Sequence, residues 1–350
     1  MSPTDFLADL LNPDLTFLPK ALAIAVISSV VCGIVGTHVV LRGMAFIGDA
    51  VSHAVFPGLA IAFVIEGDLV LGGTLAGVAT AVLVAVFSQN RRLKEDSLIG
   101  IFFVAAFALG VVVISQTPGY AGSLEQFLFG SITGIPTSDL YLAGGAGAAV
   151  LTVMFLLHKE FVTISLDRES ARALGVPVFW FDLVLYVLVT VAVVISVQTI
   201  GNILVLALLV TPAATARMLT DRLGVMMLIS PVIGGLAALV GLYVSWSEDL
   251  PTGGTIVLVL TALFLLSWLL APKQGLLAKL ARGVTRRSGE ESPLAPEERP
   301  GPVAAELPTK TSGDSAEPRP RSRRPSLLVI SVLLAVLGVT ALVAAALSPA

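Results

Sequence analysis

The chain has 350 residues, of which 56% are hydrophobic and only 13% are charged, and its mean hydropathy is +0.94. These values exclude an ordinary soluble domain and indicate an integral membrane protein. The formal net charge of −3 says little about partners, and we expect no nucleic acid among them.

An amphipathic segment opens the chain at residues 1–19. Phe6, Leu7, Leu10 and Leu11 have the spacing of a short surface helix, and the lack of a basic start distinguishes the segment from a cleaved signal peptide. Apolar runs close to the roughly 20 residues that cross a bilayer then recur. We predict an all-α, polytopic membrane helical bundle of about nine core transmembrane helices plus one C-terminal transmembrane helix, at 20–40, 44–64, 69–88, 98–115, 140–157, 179–197, 201–216, 226–245, 254–270 and 327–347.

Basic side chains cluster in alternate loops, and such loops stay in the cytoplasm. They follow the third, fifth, seventh and ninth apolar runs, and include Arg91, Arg92, Lys94, Lys159, Arg168, Arg172, Arg217, Arg222 and Lys273. Acidic residues such as Glu66 and Glu248 occupy the opposite loops. We therefore expect a multi-pass protein of the cell membrane with an extracytoplasmic N-terminus.

The composition changes after Ala271. Residues 273–325 begin with leucines at helical spacing among basic side chains, which indicates either a basic helix on the inner leaflet or a simple stop-transfer cluster. The following stretch is rich in Pro, Ser, Glu and Arg, as is typical of a disordered cytoplasmic linker. Residues 326–350 then supply an extra transmembrane anchor.

Asp49 and His53 are the ionisable pair that most needs an explanation. They lie at i and i+4 of a predicted span and therefore project from the same side of a helix. Ionisable groups in bilayer hydrocarbon are costly and indicate function. Ser52 shares their face, and Pro57 can break the helix one turn further on. The alternative is an Asp–His bond that only stabilises helix packing.

One carboxylate and one neutral imidazole provide two ligands, whereas a transition-metal site needs four or more. A two-fold dimer with this helix at its axis would complete an N2O2 set for Zn(II) or Mn(II). We expect no permanently bound cofactor. Two other polar residues fit plainer roles, since His38 is expected to be a hydrogen-bonded histidine at a helix end and Asp182 to lie at the membrane interface.

Two further segments have recognisable local signals. Asp167 is placed as an N-cap and Gly175 as a helix end, which predicts a short exposed helix that could dock in a partner's groove, or else an ordinary surface loop. Pro212 lies within the seventh span and precedes small residues, which predicts a tightly packed helix that can flex.

Several stretches together resemble the membrane permeases of zinc, manganese and iron ABC importers, the ABC-3 family. The resemblance covers residues 20–272 and rests on residues 41–58 (LRGMAFIGDAVSHAVFPG), 95–100 (EDSLIG), 128–132 (LFGSI), 171–175 (ARALG), 207–216 (ALLVTPAATA) and 250–254 (LPTGG). It implies a second copy of the permease or a paralogue, a cytoplasmic ABC ATPase dimer, and an extracytoplasmic metal-binding protein or lipoprotein. Residues beyond 272 are extra, as in a subset with surface-anchored repeat proteins.

The resemblance also assigns residues. Asp49 and His53 match the metal site of the translocation path, with Ser52 and Pro57 beside it. The segment that couples to the ATPase corresponds to Asp167, Ala171, Leu174 and Gly175, and the gating candidates are Phe129, Gly130 and Pro212.

We therefore expect an ATP-driven importer of zinc or manganese, with iron(II) as a further substrate, and no catalytic residue in this chain. The sequence contains no G-x-x-x-x-G-K-[ST] phosphate loop, so a separate subunit must hydrolyse ATP. Because a metal-binding imidazole must be neutral, transport should fall as the external pH decreases through the histidine range. The alternatives are a proton-coupled secondary metal transporter, an ABC permease for a siderophore or corrinoid, and a membrane assembly platform built around the tail.

Overall fold

The computed structural model describes residues 3–44, 46–67, 69–88, 95–115 and 136–271. These residues form α-helices and one 3-10 turn, Pro13–Leu15, with no strand among them. The helices are α1 (Pro3–Leu10), α2 (Phe17–Leu41), α3 (Ile47–Val64), α4 (Leu69–Phe87), α5 (Glu95–Ser115), α6 (Thr137–Leu156), α7 (His158–Leu166), α8 (Arg168–Ala173), α9 (Val178–Ile200), α10 (Asn202–Leu219), α11 (Leu223–Glu248) and α12 (Thr252–Leu270).

The predicted polytopic helical bundle is confirmed. Each of the nine predicted core spans corresponds to one long helix, and every described helix end lies within three residues of its predicted position. Seven of these helices are long and apolar enough to cross a membrane, while α4 and α5 carry shorter apolar stretches, Leu71–Phe87 and Ser97–Val113. The prediction of a loop directly after the fifth span was wrong, because α7 begins there. The basic helix, linker and tenth span lie outside the described residues.

Helix α9 is the centre of the bundle. Of its most apolar stretch, 89% is buried, compared with 17% for α12. It packs against α2, α3, α4, α6 and α10. Apolar side chains occur on every face of this helix, and a helix of that kind is stable only when protein or lipid surrounds it. Helix α3 packs directly against this central helix, and α5 packs in turn against α3 and α4.

Glycines bring α3 and α4 into backbone contact. A Cβ atom added to Gly58 would lie 2.1 Å from the carbonyl oxygen of Gly72, and one added to Gly72 would lie 2.5 Å from that of Gly58. Small residues are what allow membrane helices to approach this closely. At Gly48 of the same helix, by contrast, the atom nearest to an added Cβ belongs to the Leu209 side chain.

The turn between α2 and α3 is fixed by Gly43. Its φ of +70° is open to glycine and strained for other residues. The Gly43 amide donates to the Val40 carbonyl and the Met44 amide donates to that of Val39, the two bonds of a Schellman motif. Met44 is buried beneath the turn. This motif ends α2 and sets the direction in which α3 starts.

Helix α1 confirms the predicted short N-terminal helix, although Leu11 lies just beyond it. Phe6 is buried with Leu18 and Leu242, while Leu7 is exposed. The indole of Trp246 donates a 2.9 Å hydrogen bond to Asp9 and thereby ties this segment to α11. The side of the membrane on which α1 lies stays a prediction.

Candidate metal site

Asp49 and His53 form a pair on the first turns of α3. The Nε2 atom of His53 lies 3.4 Å from Oδ1 of Asp49, and the side chain of His53 is 22% exposed and that of Asp49 is 39% exposed. The predicted shared face is therefore confirmed. Both side chains remain accessible, although most neighbouring residues on α3 are buried.

Two aromatic rings of α5 hold the imidazole from one side. The His53 ring centroid lies 4.9 Å from that of Phe103 and 5.2 Å from that of Phe107, the latter contact being edge-on. Such contacts restrict ring rotation and keep water from that side of the imidazole. The position of His53 thus depends on how α5 packs against α3.

A groove of about 830 Å³ runs between the start of α3 and helix α5. Asp49 lines it together with Phe46 and Ala50, and Gly100 and Phe103 contribute from α5. The lining is mainly apolar, so the carboxylate is the principal charged group there. A cation entering the groove would be attracted to this carboxylate, because apolar walls weaken the screening of charge.

The pair supplies an oxygen and a nitrogen donor but not a complete site. Among the described residues, no group of three His, Cys, Asp or Glu side chains is placed to hold a metal ion. The predicted break at Pro57 does not occur, since α3 runs through this residue to Val64. Because proline has no amide hydrogen, however, the regular helical bond to the His53 carbonyl cannot form. The hydroxyl of Ser52 is buried and makes no hydrogen bond to a described residue.

Helix α8 confirms the short helix predicted from its cap residues. The carboxylate of Asp167 accepts hydrogen bonds from the amides of Glu169 (2.9 Å) and Ser170 (3.2 Å), and the Ser170 hydroxyl donates to it as well. These three hydrogen bonds lower the pKa of Asp167, and the bond from the Ser170 hydroxyl has the largest effect. Gly175, with φ of +80°, ends the helix in a second Schellman motif.

The two faces of this helix differ. Ala171 is fully buried, whereas Leu174 is 72% exposed. An exposed leucine at a helix end is a reasonable contact for a protein partner. The structure therefore leaves one apolar side chain of the predicted docking segment available.

Asp182 is the residue whose role the sequence did not reveal. Its position at the membrane interface stays a prediction, and its side chain is enclosed by protein, since it is only 1% exposed. Its carboxylate accepts hydrogen bonds from Arg42, at 2.7 Å, and from Arg168. In the sequence, Arg42, Arg168 and Asp182 all lie at predicted cytoplasmic ends of helices. Nothing in the sequence indicates that they form ion pairs with one another.

The prediction for His38 was wrong in one respect. The side chain is fully buried at the end of α2, but neither ring nitrogen makes a hydrogen bond to a described residue. Its ring instead packs against Phe161 and His158, with centroids 5.6 Å and 6.3 Å away. Aromatic packing, which sequence spacing does not show, replaces the expected polar partner.

Of the three gating candidates, only Pro212 lies among the described residues. Pro212 is buried inside α10, and the helix runs through it from Asn202 to Leu219. Its neighbourhood is closely packed, since a Cβ added to Gly36 of α2 would lie 1.8 Å from the Leu209 carbonyl oxygen. Phe129 and Gly130 lie outside the described residues.

Comparison with known proteins gives consistent matches. The manganese transport system membrane protein MntC of Halalkalibacterium halodurans is 41% identical over 268 residues, which cover 77% of this chain and 92% of that protein. The manganese import system permease protein ScaB of Streptococcus parasanguinis is 38% identical over 258 residues, or 74% of this chain and 92% of ScaB.

A solved structure, PsaBC from Streptococcus pneumoniae in complex with Fab, contains a chain with the same fold. The TM-score is 0.70 and the identity 35%, over 80% of this chain and 100% of that one. The profile of the ABC 3 transport family matches residues 14–271. The protein therefore belongs to the ABC 3 transport family.

Proposed function

We propose that this chain is the permease subunit of an ATP-driven importer that carries a divalent metal ion, manganese, across the cytoplasmic membrane. The observation that carries the proposal is the accessible Asp49–His53 pair, with Nε2 and Oδ1 3.4 Å apart, beside a groove in a membrane bundle. Two relatives named as manganese transport system membrane proteins, each aligned with 77% of this chain, support manganese as the substrate.

A second copy of the chain would complete the site. With α3 of each copy at a two-fold axis, two carboxylates and two imidazoles surround one ion. The two negative charges balance a divalent cation, and these donors suit Mn(II), Zn(II) and Fe(II) alike. Four protein ligands are few enough for the ion to leave again, so we expect a site that holds its cargo only transiently.

Energy for transport comes from a separate cytoplasmic ATPase dimer. The sequence lacks a phosphate-binding loop of the G-x-x-x-x-G-K-[ST] type, and α8, with its exposed Leu174, is the surface on which we place each ATPase subunit. An extracytoplasmic metal-binding protein would deliver the ion to the opposite side. The compact pair of an oxygen and a nitrogen donor suits direct binding of a divalent ion, whereas a permease for a siderophore would need a wide polar-lined path.

Substitution of the pair tests the proposal. In proteoliposomes containing the permease with its ATPase, Asp49→Asn and His53→Ala should each lower ⁵⁴Mn uptake by about tenfold or more. Loss of a residue that only hydrogen-bonds a metal ligand already costs about tenfold, and loss of the ligand itself should cost at least as much. Asp139→Asn removes a carboxylate that hydrogen-bonds Ser138 on α6 and should transport normally. Competition by unlabelled Zn²⁺ and Fe²⁺ identifies the preferred ion.

Wild-type uptake by folded Asp49→Asn or His53→Ala protein would refute the site. Uptake that persists without the ATPase and collapses with the proton gradient would instead identify a secondary transporter.

A further inference from the structure

One buried carboxylate joins two elements that the proposed function treats separately. Asp182, the fifth residue of α9, is 1% exposed. Its Oδ1 atom accepts a hydrogen bond from Nη1 of Arg42 at 2.7 Å, and its Oδ2 atom accepts one from Nη2 of Arg168. Each carboxylate oxygen therefore binds a different arginine.

One arginine lies next to the metal-site helix, and the other lies in the proposed ATPase contact. Arg42 is the C-cap of α2 and directly precedes the Gly43 turn that leads into α3, the helix of Asp49. Arg168 is the first residue of α8, the segment on which the ATPase is placed. The three residues thus connect the cytoplasmic surface to the start of the metal-site helix.

Arg42 is held on more than one side. Its Nε atom donates a 3.3 Å hydrogen bond to Ser165 on α7, and its guanidinium lies 5.6 Å from the ring centroid of Phe161. Its side chain is 7% exposed. Because these contacts restrain the guanidinium, we expect displacement of α7 or α9 to move the end of α2 as well.

The backbone on either side of the arginines is also well defined. Gly43 follows Arg42 in one Schellman motif, and Gly175 closes α8 in another. Helix α9 packs directly on α3 in addition. A shift of α8 therefore reaches α3 by two routes, one through Asp182 and Arg42 and one through the body of α9.

Stability alone is a weak reason for such a cluster, since apolar side chains of similar size commonly stabilise a protein as well as a buried ion pair does. We infer that Asp182 is a positioning residue that transmits movement of α8 to the α2–α3 turn and so couples the ATPase to the metal site. This inference rests on the proposed function, because it takes α8 as the ATPase contact.

The test removes one arginine and measures coupling. Purified permease–ATPase complex in proteoliposomes is assayed for Mn²⁺ stimulation of ATP hydrolysis and for Mn²⁺ transported per ATP. Arg168→Gln should lower maximal stimulation by about fivefold or more, the lower end of typical coupling between sites. The Mn²⁺ concentration for half-maximal stimulation should not change, because the substitution leaves Asp49 and His53 intact.

Several variants separate coupling from folding and from charge. Because Arg168 is 31% exposed, Arg168→Lys should fold. Relative to Arg168→Gln it should recover part of the stimulation, because lysine restores the positive charge but not the planar guanidinium group. Asp182→Asn combined with Arg168→Gln should reduce stimulation no more than Asp182→Asn alone. Arg217→Gln removes an exposed cytoplasmic arginine of α10 and should stay fully coupled.

Full stimulation in Arg168→Gln, or an equal loss in Arg217→Gln, would overturn the inference while leaving the proposed function in place. A wild-type complex in which Mn²⁺ neither stimulates hydrolysis nor crosses the membrane would contradict both.

Discussion

At the scale of single residues, the cap of α8 has a clear pH dependence. Three donors from the first turn of the helix stabilise the charged form of Asp167, and they lower its pKa in the folded protein. The cap therefore contributes fully above the ordinary aspartate range and is lost as the pH falls through the lowered folded-state pKa. At neutral pH the helix should be fully capped.

Replacement of the cap should loosen α8 locally. We expect Asp167→Ala to accelerate hydrogen exchange at the amides of Glu169 and Ser170, which would lose their acceptor. Asp167→Asn retains a side-chain oxygen and should exchange more slowly than the alanine variant. Hydrogen exchange with mass spectrometry measures both, and identical exchange in wild type and Asp167→Ala would show that the cap does not hold the helix.

The residues of the site differ in how far the sequence predicts them. Asp49 and His53 are neighbours because of helical spacing alone, so their shared face follows from local sequence. Asp182 lies 140 residues from Arg42, and only the packing of α2 against α9 brings them together. The surroundings of His38, whose ring nitrogens make no hydrogen bond within the described part of the chain, depend on tertiary contacts in the same way.

At the scale of helices, the glycine contact between α3 and α4 should be intolerant of substitution. Gly58→Ala places a methyl carbon against the Gly72 carbonyl and should lower stability by about 1–3 kcal/mol, as overpacking does. Gly145→Ala on α6 is the control, because a Cβ there meets nothing within 4 Å, and it should not destabilise the protein. Thermal unfolding in detergent compares them; equal melting temperatures would contradict the prediction.

Helix positions follow from the sequence because each span must carry enough apolar residues to cross the bilayer, whatever its neighbours. Hydropathy says little about which helix is central, since α9 and α12 are similarly apolar while only α9 is largely buried. Helix α7 was missed for a related reason. Its sequence HKEFVTISL is too short and too polar to resemble a span, and it folds against α2, α6 and α9.

At the scale of the whole molecule, residues 14–271 match the family profile, and 80% of this chain spans the full length of the solved PsaBC chain. We therefore expect deletion of residues 288–350 to leave metal uptake close to that of the full-length protein. Uptake in proteoliposomes, normalised to permease content, provides the measurement.

Loss of a bound partner with uptake intact would assign the tail a docking role. Loss of uptake in a truncated protein that inserts normally would show instead that transport depends on the tail.

The backbone contact between Gly58 and Gly72 has a consequence for how motion could be observed. Helices this close leave no room for a lipid chain, so α3 and α4 should travel as one hairpin during the transport cycle. A spectroscopic probe on the exposed surface of α4, for example at Leu75, which is 62% exposed, would then record displacement of the helix that carries the proposed metal ligands without replacing either of them.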